Sequence, residues 1–448
     1  NIKEIHIPAL NDEFGMLFGT ESYENSVPVV QRQGTYYLPS NLNTVKVACP
    51  RIPTFSFLNC NSITKLILEN VEEVEGFAFQ DCFGITELYL TNCQSFAEGV
   101  FRGCNSLNKV HCNSLEDWLN LSFVDYLSTP MAYASELYVQ NILIKEFDLS
   151  GQETIGDYQF YGLSQMEELH LPDVKTIGNQ AFMGCNSLNT LWLSQSLESC
   201  YSEAFAAVGS LESIYYDGTL EDWSKIVFHD QYATPMLYSP AFYGKIDEDY
   251  QLISEITLSS EISSIGDYQF YGFTNITDLS FQNVSTIGNK AFASMGNVEN
   301  FYMPNTIEQI EEDAFADTSL LNVHYAGTLE EWANIQFLNS NSTPLCSDMS
   351  TIFFDNAIDL ESIELSSSIE TIGNYQFYGF KTTKSFESST PLISIGQNAF
   401  ANCVALESFS FDSTEDTILM ENAFLGCTNL KNVYYKGTLD AYMKLTYK

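Results

Sequence analysis

Apolar residues recur along this chain in a short pattern of the form L-x-x-L-x-L, which begins six residues after a phenylalanine, as in Ile85, Leu88 and Leu90. Alternation over its last three positions predicts a short strand, while glycine and small residues around the phenylalanine predict a break between strands. A unit of about 22 residues with one strand cannot bury its own apolar face, so neighbouring units must stack. The anchoring phenylalanines are Phe57, Phe79, Phe101, Phe160, Phe182, Phe205, Phe270, Phe292, Phe315, Phe377, Phe400 and Phe424.

A second, longer period groups these units into blocks. Three nearly identical segments, at 155–162, 265–272 and 372–379, each open one of the last three groups. Inside a group the phenylalanines are 22 to 24 residues apart, and the first phenylalanines of successive groups are 103, 110 and 107 residues apart. The pattern gives 17 candidate strands. We therefore predict one solenoid over residues 1–448, with a partial repeat plus insertion at 1–41 and blocks at 42–141, 142–252, 253–359 and 360–448.

One unit shows the full repeat most clearly. Ile177-Gly-Asn-Gln-Ala-Phe182-Met-Gly-Cys185, followed by an L-x-x-L-x-L strand, resembles the BspA-like class of leucine-rich repeat proteins. The resemblance implies an α/β repeat solenoid, a β-rich right-handed coil with a parallel β-sheet on one face and short helices in the block insertions. Two units depart from the pattern: the one after Phe315 is one residue short, and the one after Phe377 has Thr383 and Ser388 at apolar positions. We expect irregular packing at both.

Each block contains an insertion with a consensus of its own. Thr219 is followed three residues later by Asp222, a spacing that predicts the start of a helix, since the acid also faces the positive end of the helix dipole. A later Thr-Pro pair, as at Pro130, predicts the end of regular structure. Large aromatic residues are usually buried, so we interpret the insertion tryptophans as packing residues, with an exposed ligand platform as the alternative. Three tryptophans share this helix position: Trp118, Trp223 and Trp332.

The chain has eleven cysteines, and the register of those in the repeat argues against a disulfide framework. The slot three residues after the anchoring phenylalanine holds a cysteine in several units, and Leu163, Phe273 or Met295 in others. A slot that accepts leucine, phenylalanine and methionine is apolar, so we predict free, buried thiols. The chain has no C-x-x-C or other zinc spacing. The cysteines of this slot are Cys60, Cys82, Cys104, Cys185, Cys403 and Cys427.

One column of residues is predicted to face water. Side chains alternate across a strand, so the residue between the last two apolar positions points away from the core. Nine of the 17 residues in this column are aromatic or histidine, which is plausible for a recognition surface centred on His170, Trp192 and Tyr215. The alternative is packing between neighbouring strands without a ligand. The residues assigned to the stripe are His170, Trp192, Tyr215, Tyr89, His111, Tyr302, His324 and Tyr434.

Charge and composition limit the possible partners. The chain has 58 acidic and 18 basic residues, a formal charge of −40, so binding to nucleic acid is not expected. Neutral or basic partners are favoured. No run of 18 apolar residues occurs, so we expect no membrane insertion. No leader is recognisable at the first residue, and we expect a cell-surface or extracellular protein whose signal peptide has been removed.

The sequence contains no motif of a metalloprotease, serine hydrolase, P-loop, dinucleotide-binding or EF-hand site. We therefore expect no catalytic residues and no cofactor. We also expect no metal site, because the histidines lie mostly several strands apart. The family resemblance implies an adhesin-like, monomeric module that binds a host or microbial surface protein or a glycan. Two alternatives remain: a structural spacer on the cell surface, and an enzyme acting on polysaccharide through a pair of carboxylates.

Overall fold

The structure, a computed structural model, describes residues 2–238, 240–246, 249–354 and 360–448, the side chains of residues 415 and 416 excepted. Contacts between Cα atoms divide the chain into two units, Asn1–Tyr215 with Tyr232–Tyr238, and Tyr216–Gln231 with Ser239–Lys448. Each unit is a solenoid of stacked parallel strands with few short helices, and all 17 predicted strand positions coincide with strands. A single solenoid with the block boundaries given above stays a prediction.

In the first unit, each coil contributes a strand of three to five residues to a parallel sheet. The strands of the first sheet are Glu4–Ile7, Thr44–Val47, Lys65–Glu69, Glu87–Thr91, Lys109–Cys112 and Glu136–Val139, with Ile142–Leu143 antiparallel to the last. The strands of the next sheet in this unit are Glu146–Asp148, Glu168–Leu171, Thr190–Leu193 and Ser213–Tyr216. An antiparallel hairpin, Ser26–Val30 with Thr35–Pro39, precedes the second strand of the first sheet.

The second unit has the same organisation, with longer strands. Its parallel strands are Glu255–Leu258, Asp278–Phe281, Gly296–Met303, Thr318–Tyr325 and Thr351–Phe354, followed by Ser362–Leu365, Ser385–Ile395, Ser408–Leu419 and Asn432–Tyr435. A hairpin pairs Ala241–Ile246 with Asp249–Leu252. The irregular packing predicted after Phe377 is confirmed, because the pairing of the two longest strands shifts register between Glu387 and Pro391 and again between Leu392 and Ser394.

A second set of two-residue strands, which the repeat pattern did not predict, lies before the anchoring phenylalanine in ten coils and after the helix in each of the four insertions. Two residues are too few to show an alternating pattern. In the first unit these strands are Arg51–Ile52, Glu73–Val74, Ser95–Phe96, Ser122–Phe123, Thr154–Ile155, Thr176–Ile177 and Ser199–Cys200. In the second unit they are Val227–Phe228, Ser264–Ile265, Thr286–Ile287, Gln309–Ile310, Gln336–Phe337, Thr371–Ile372 and Thr446–Tyr447.

Each anchoring phenylalanine sits in a tight turn with a fixed backbone geometry. All twelve lie between two residues of positive φ, one two positions before and one two positions after. Around Phe160 these are Tyr158, with φ 57°, and Gly162, with φ 75°. The Phe160 amide donates to the carbonyl of Ala181 in the next coil at 2.8 Å, and the Phe160 and Phe182 rings stack with centroids 5.4 Å apart. The turns therefore form a column of rings inside the coils.

The prediction of free cysteines is confirmed, and most of them are buried. The structure also explains why a cysteine suits the slot after the phenylalanine. The thiol of Cys82 lies 2.9 Å from the carbonyl of Phe57, and that of Cys185 lies 3.3 Å from the carbonyl of Phe160. The slot thus offers an acceptor as well as apolar surroundings. Burial raises the pKa of the Cys104 thiol to about 12, so this thiol is neutral at physiological pH.

The four predicted helix starts are confirmed, and each helix is about one turn long. Thr219 Oγ1 accepts a hydrogen bond from the Asp222 amide at 3.1 Å, and the Asp222 carboxylate accepts from the Thr219 amide at 3.2 Å. This is a complete capping box. The helices are α1, Leu115–Leu119; α2, Leu220–Trp223; α3, Leu329–Trp332; and α4, Leu439–Tyr442. Within the described ranges, no helix has the length and apolar character needed to cross a bilayer.

The prediction that regular structure ends at the Thr-Pro pairs is wrong at two of them, those of Pro130 and Pro235. Proline has no backbone N–H. In the first turn of a helix that N–H would have no intrahelical partner, so proline fits there. Accordingly Pro130–Ala132 is a 3-10 helix, and the chain then adds the strand Glu136–Val139 to the main sheet. Pro235–Tyr238 is likewise a 3-10 helix, as is Phe14–Leu17 near the start of the chain.

The insertion tryptophans are fully buried, which confirms the packing interpretation and excludes the exposed platform. Each pairs reciprocally with one glutamine. The Trp118 indole donates to the carbonyl of Gln159 at 3.1 Å, and the Gln159 amide donates to the carbonyl of Trp118 at 2.8 Å. Trp223 pairs in the same way with Gln269, and Trp332 with Gln376. These glutamines belong to the three nearly identical segments at 155–162, 265–272 and 372–379, so each of those segments supplies the partner of the tryptophan that precedes it in the chain.

Candidate functional site

The predicted stripe lies on the outward face of the sheets. Leu169 and Leu171 flank His170 in its strand and are 0% and 1% exposed, whereas the side chain of His170 is 39% exposed. The alternation expected for a half-buried strand therefore holds at the predicted centre of the stripe. All eight predicted stripe residues are partly or fully exposed, with Tyr302 at 47% and Tyr434 at 55%.

The structure gathers most of the stripe into three groups of parallel rings, each with one histidine. Ladder pairing places the rings of neighbouring coils in register. We call these groups stack 1, formed by Tyr89, His111 and Tyr138; stack 2, formed by His170, Trp192 and Tyr215; and stack 3, formed by Tyr302, His324 and Phe353. Tyr434 stands apart from them, with Ser410 as its in-register neighbour.

A lysine side chain covers the outer ring face at one end of stack 1. The ring centroids of Tyr89 and His111 are 4.2 Å apart at 3°, and those of His111 and Tyr138 are 4.8 Å apart at 17°. The Lys65 ammonium lies 4.1 Å from the centroid of Tyr89, a cation–π contact. The Tyr138 hydroxyl donates to the Glu136 carboxylate at 2.7 Å. The ring faces and hydroxyls of this stack are therefore largely occupied by its own neighbours.

His111 is partly enclosed by its neighbours in stack 1. Both of its ring nitrogens are buried and have no hydrogen-bond partner among the described residues. Burial lowers the pKa of His111, and the nearby ammonium groups of Lys109 and Lys65 lower it further, while the carboxylate of Glu87 opposes them. The imidazole is therefore neutral at physiological pH and behaves as a flat, apolar ring between two tyrosines.

Stack 2 contains the predicted centre of the stripe. Its centroids are 5.2 Å apart between His170 and Trp192 and 4.0 Å apart between Trp192 and Tyr215, with interplanar angles of 8° and 13°. The Glu168 Oε1 atom accepts from the Trp192 indole at 2.8 Å and lies 2.9 Å from His170 Nε2. Asp148, which pairs in register with His170, is exposed, and hydrogen bonds from the hydroxyl and amide of Ser150 lower its pKa. This stack is thus bordered by carboxylates.

Stack 3 is the most exposed and has neutral surroundings. The centroids of Tyr302 and His324 are 5.0 Å apart and those of His324 and Phe353 are 5.2 Å apart. The outer rings, Tyr302 and Phe353, are 47% and 44% exposed. Beside them runs an amide ladder, in which Asn322 donates to Asn300 at 3.2 Å and Asn300 donates to the Asp278 carboxylate at 2.8 Å. Ladder hydrogen bonds of this kind hold neighbouring coils in register.

Comparison with known proteins identifies the repeat. The model of the BspA type leucine-rich repeat region matches six copies, over residues 33–127, 153–249, 241–343 and 347–445. The chain belongs to this family. No curated protein matches its sequence.

Several solved structures resemble the BspA-type chain over most of its length, at low identity. A leucine-rich repeat protein from Bacteroides ovatus is 19% identical with a TM-score of 0.42, the match covering 90% of each chain. A leucine-rich cell surface protein from Faecalibacterium prausnitzii is 14% identical with a TM-score of 0.33, covering 100% of this chain and 91% of the other. The pneumococcal vaccine antigen PcpA is 12% identical with a TM-score of 0.33, covering 92% and 88%.

Two residues of the aromatic stacks, Tyr138 in stack 1 and Phe353 in stack 3, were not predicted from the sequence. Both lie in insertions, which the L-x-x-L-x-L count did not include. The signal was present, because Tyr138 stands between Leu137, which is buried, and Val139, and Phe353 stands between the buried Ile352 and Phe354. Applying the alternation rule inside the insertions would have found them.

In the part of the chain that the structure describes, no group of three or more histidine, cysteine, aspartate or glutamate side chains is arranged to hold a metal ion. The histidines of the stripe are used as stacking rings, one in each stack. The site therefore consists of aromatic surface bordered by side chains that differ in charge from stack to stack.

Proposed function

We propose that this BspA-type chain is a non-enzymatic module, displayed at the cell surface or secreted, that binds another macromolecule through the outward face of its sheets. The observation that carries the proposal is the set of three aromatic stacks in one column of the repeat. Exposed aromatic residues grouped on a rigid scaffold are typical of binding surfaces. The family resemblance supports the surface location, and the charge of −40 favours a neutral or basic partner.

A structural spacer is the second candidate, and one observation favours it. The stack residues already make their contacts within the protein. The Trp192 ring lies between two rings, and its indole N–H donates to Glu168. Such cross-strand pairs stabilise a sheet without any ligand. The two candidates differ in what the stripe contributes: binding in the first, and folding stability alone in the second. An enzyme acting on polysaccharide has no comparable observation behind it.

The test is the double variant Trp192→Ala with Tyr215→Ala, measured against an array of matrix proteins and glycans at two salt concentrations. We expect binding to an array member to weaken by at least about tenfold, because removing two adjacent aromatic anchors costs about 1.4 kcal/mol or more. The melting temperature should fall only slightly, because cross-strand aromatic pairs contribute about 0.2 to 1 kcal/mol each. The control is Tyr23→Ala, which removes a tyrosine that is 44% exposed and lies outside the stripe.

A melting temperature that falls while every interaction on the array is retained would favour the spacer. Equal loss of binding in the Tyr23→Ala control would show that the stripe is not the contact surface.

A further inference from the structure

We propose that stack 2 takes a basic polypeptide segment, whose arginine or lysine side chains lie across the ring edges and meet the bordering carboxylates. This inference rests on the proposed function and goes further by choosing a protein segment over a glycan. The choice follows from which surface of the rings is open and from the charges beside them.

Sugar rings bind aromatic residues by packing their C–H groups on an open ring face. In stack 2 the two faces of Trp192 are covered by His170 and Tyr215, at centroid distances of 5.2 and 4.0 Å. At its centre the stack therefore offers a partner the edge of the Trp192 ring and not its faces. Edges lack the negative charge of the faces and are suited to contact with aliphatic chains, not to stacking. A glycan would therefore lose its main mode of aromatic contact here.

The charges that border stack 2 are carboxylates. Glu146 and Asp148 are exposed and pair in register with Glu168 and His170 of the next strand. Lys145, which adjoins Glu146 in sequence, already forms an ion pair with the neighbouring strand at Glu167. The side chain of Glu168 remains 33% exposed although it is held by the two rings. A partner approaching this stack therefore meets three carboxylates.

The other two stacks differ in charge from stack 2. Beside stack 1 the in-register residues Lys65, Glu87, Lys109 and Glu136 alternate in sign, so the row is balanced. Beside stack 3 the row is mainly amide, with Asp278 already accepting from Asn300. Among the described residues, stack 2 is thus the part of the stripe where three carboxylates border the rings, while the adjacent Lys145 is already paired with Glu167.

Lysine and arginine fit both features of stack 2. Their aliphatic stems can lie against ring edges while the charged head reaches a carboxylate, and arginine can contact a carboxylate with two parallel hydrogen bonds. The net charge of −40 would speed the approach of such a segment at low salt. Among the four tryptophans only Trp192 is not fully buried, so its fluorescence reports directly on this stack.

The test is a fluorescence titration of the full chain with three probes: a short peptide alternating arginine and alanine, its glutamate counterpart, and an oligosaccharide of N-acetylglucosamine. We expect only the arginine peptide to change the Trp192 signal. The pair Glu146→Gln with Asp148→Asn should weaken its binding roughly tenfold, since each exposed ion pair contributes up to about 1 kcal/mol. Binding of the arginine peptide to the ring variant, Trp192→Phe with Tyr215→Ala, is measured by calorimetry and should also be weaker.

The matched control is Glu21→Gln with Glu24→Gln, which removes the same number of charges at exposed positions of the same unit and away from the stripe. If both charge pairs weaken binding equally, or if the ring variant binds as well as the wild type, attraction is non-specific and the inference is overturned. If the oligosaccharide binds and depends on the rings, this inference falls while the proposed function stands. If no probe and no array member depends on the rings, both fall.

Discussion

Replacing Trp223 by alanine should lower the free energy of unfolding by about 3 to 5 kcal/mol, the range found for large aromatic residues in cores. The side chain is 0% exposed and meets Tyr216, Phe242 and Phe273 edge to face, at centroid distances of 5.2, 4.9 and 5.7 Å. Its indole also donates to the carbonyl of Gln269 at 2.8 Å, and that buried acceptor would be left unpaired. Denaturant unfolding followed by circular dichroism measures the loss.

The matched control is the same substitution at Trp192, which is partly exposed and stacks between the rings of His170 and Tyr215. Cross-strand aromatic pairs contribute about 0.2 to 1 kcal/mol each, so we expect a loss of roughly 1 to 2 kcal/mol. A Trp223→Ala variant that loses no more stability than Trp192→Ala would show that the insertion helix is not anchored through its tryptophan.

Gly162→Ala should destabilise the chain by about 2 to 4 kcal/mol, for two separate reasons. Gly162 has φ +75°, a conformation that alanine adopts at a cost. An added Cβ would also lie 2.4 Å from the carbonyl oxygen of Met131, which is backbone and cannot rotate away. The substitution therefore forces the turn around Phe160 away from the insertion.

Gly151→Ala separates these two effects. Gly151 has φ +83° in the same unit, and a Cβ there would meet nothing within 4 Å. This variant should lose only about 1 kcal/mol, the cost of the backbone conformation. Equal losses in the two variants, measured by denaturant unfolding, would contradict the close approach at Met131.

The features that could be predicted from the sequence are those that repeat at short range. The strand positions, the outward column around His170 and the buried cysteines such as Cys185 all follow from a pattern of about 22 residues, because stacking places the same slot of every coil in the same surroundings. The burial of Trp223 followed from the recurrence of tryptophan at the same position of three insertions.

The features that escaped prediction depend on contacts between distant or very short segments. The partner of Trp118 is Gln159, 41 residues away, and no local pattern links the two. The two-residue strands recur with the coils, but each is too short to show an alternating pattern. Stack 1 is completed by Tyr138, whose strand lies inside an insertion where the repeat is interrupted. The alternation rule applied to the insertions would recover the last of these but not the tryptophan–glutamine pairs.

The central claim is that the repeat turns one column of side chains toward water and holds the insertion tryptophans inside. Acrylamide quenching of the native protein tests it directly, by comparing the wild type with Trp192→Phe. Trp118, Trp223 and Trp332 are 0% exposed, so quenching in the wild type should come from Trp192 and be largely lost in the variant. Quenching that persists unchanged in Trp192→Phe would show that an insertion tryptophan, and not Trp192, is exposed. That result would contradict the register on which the binding surface depends.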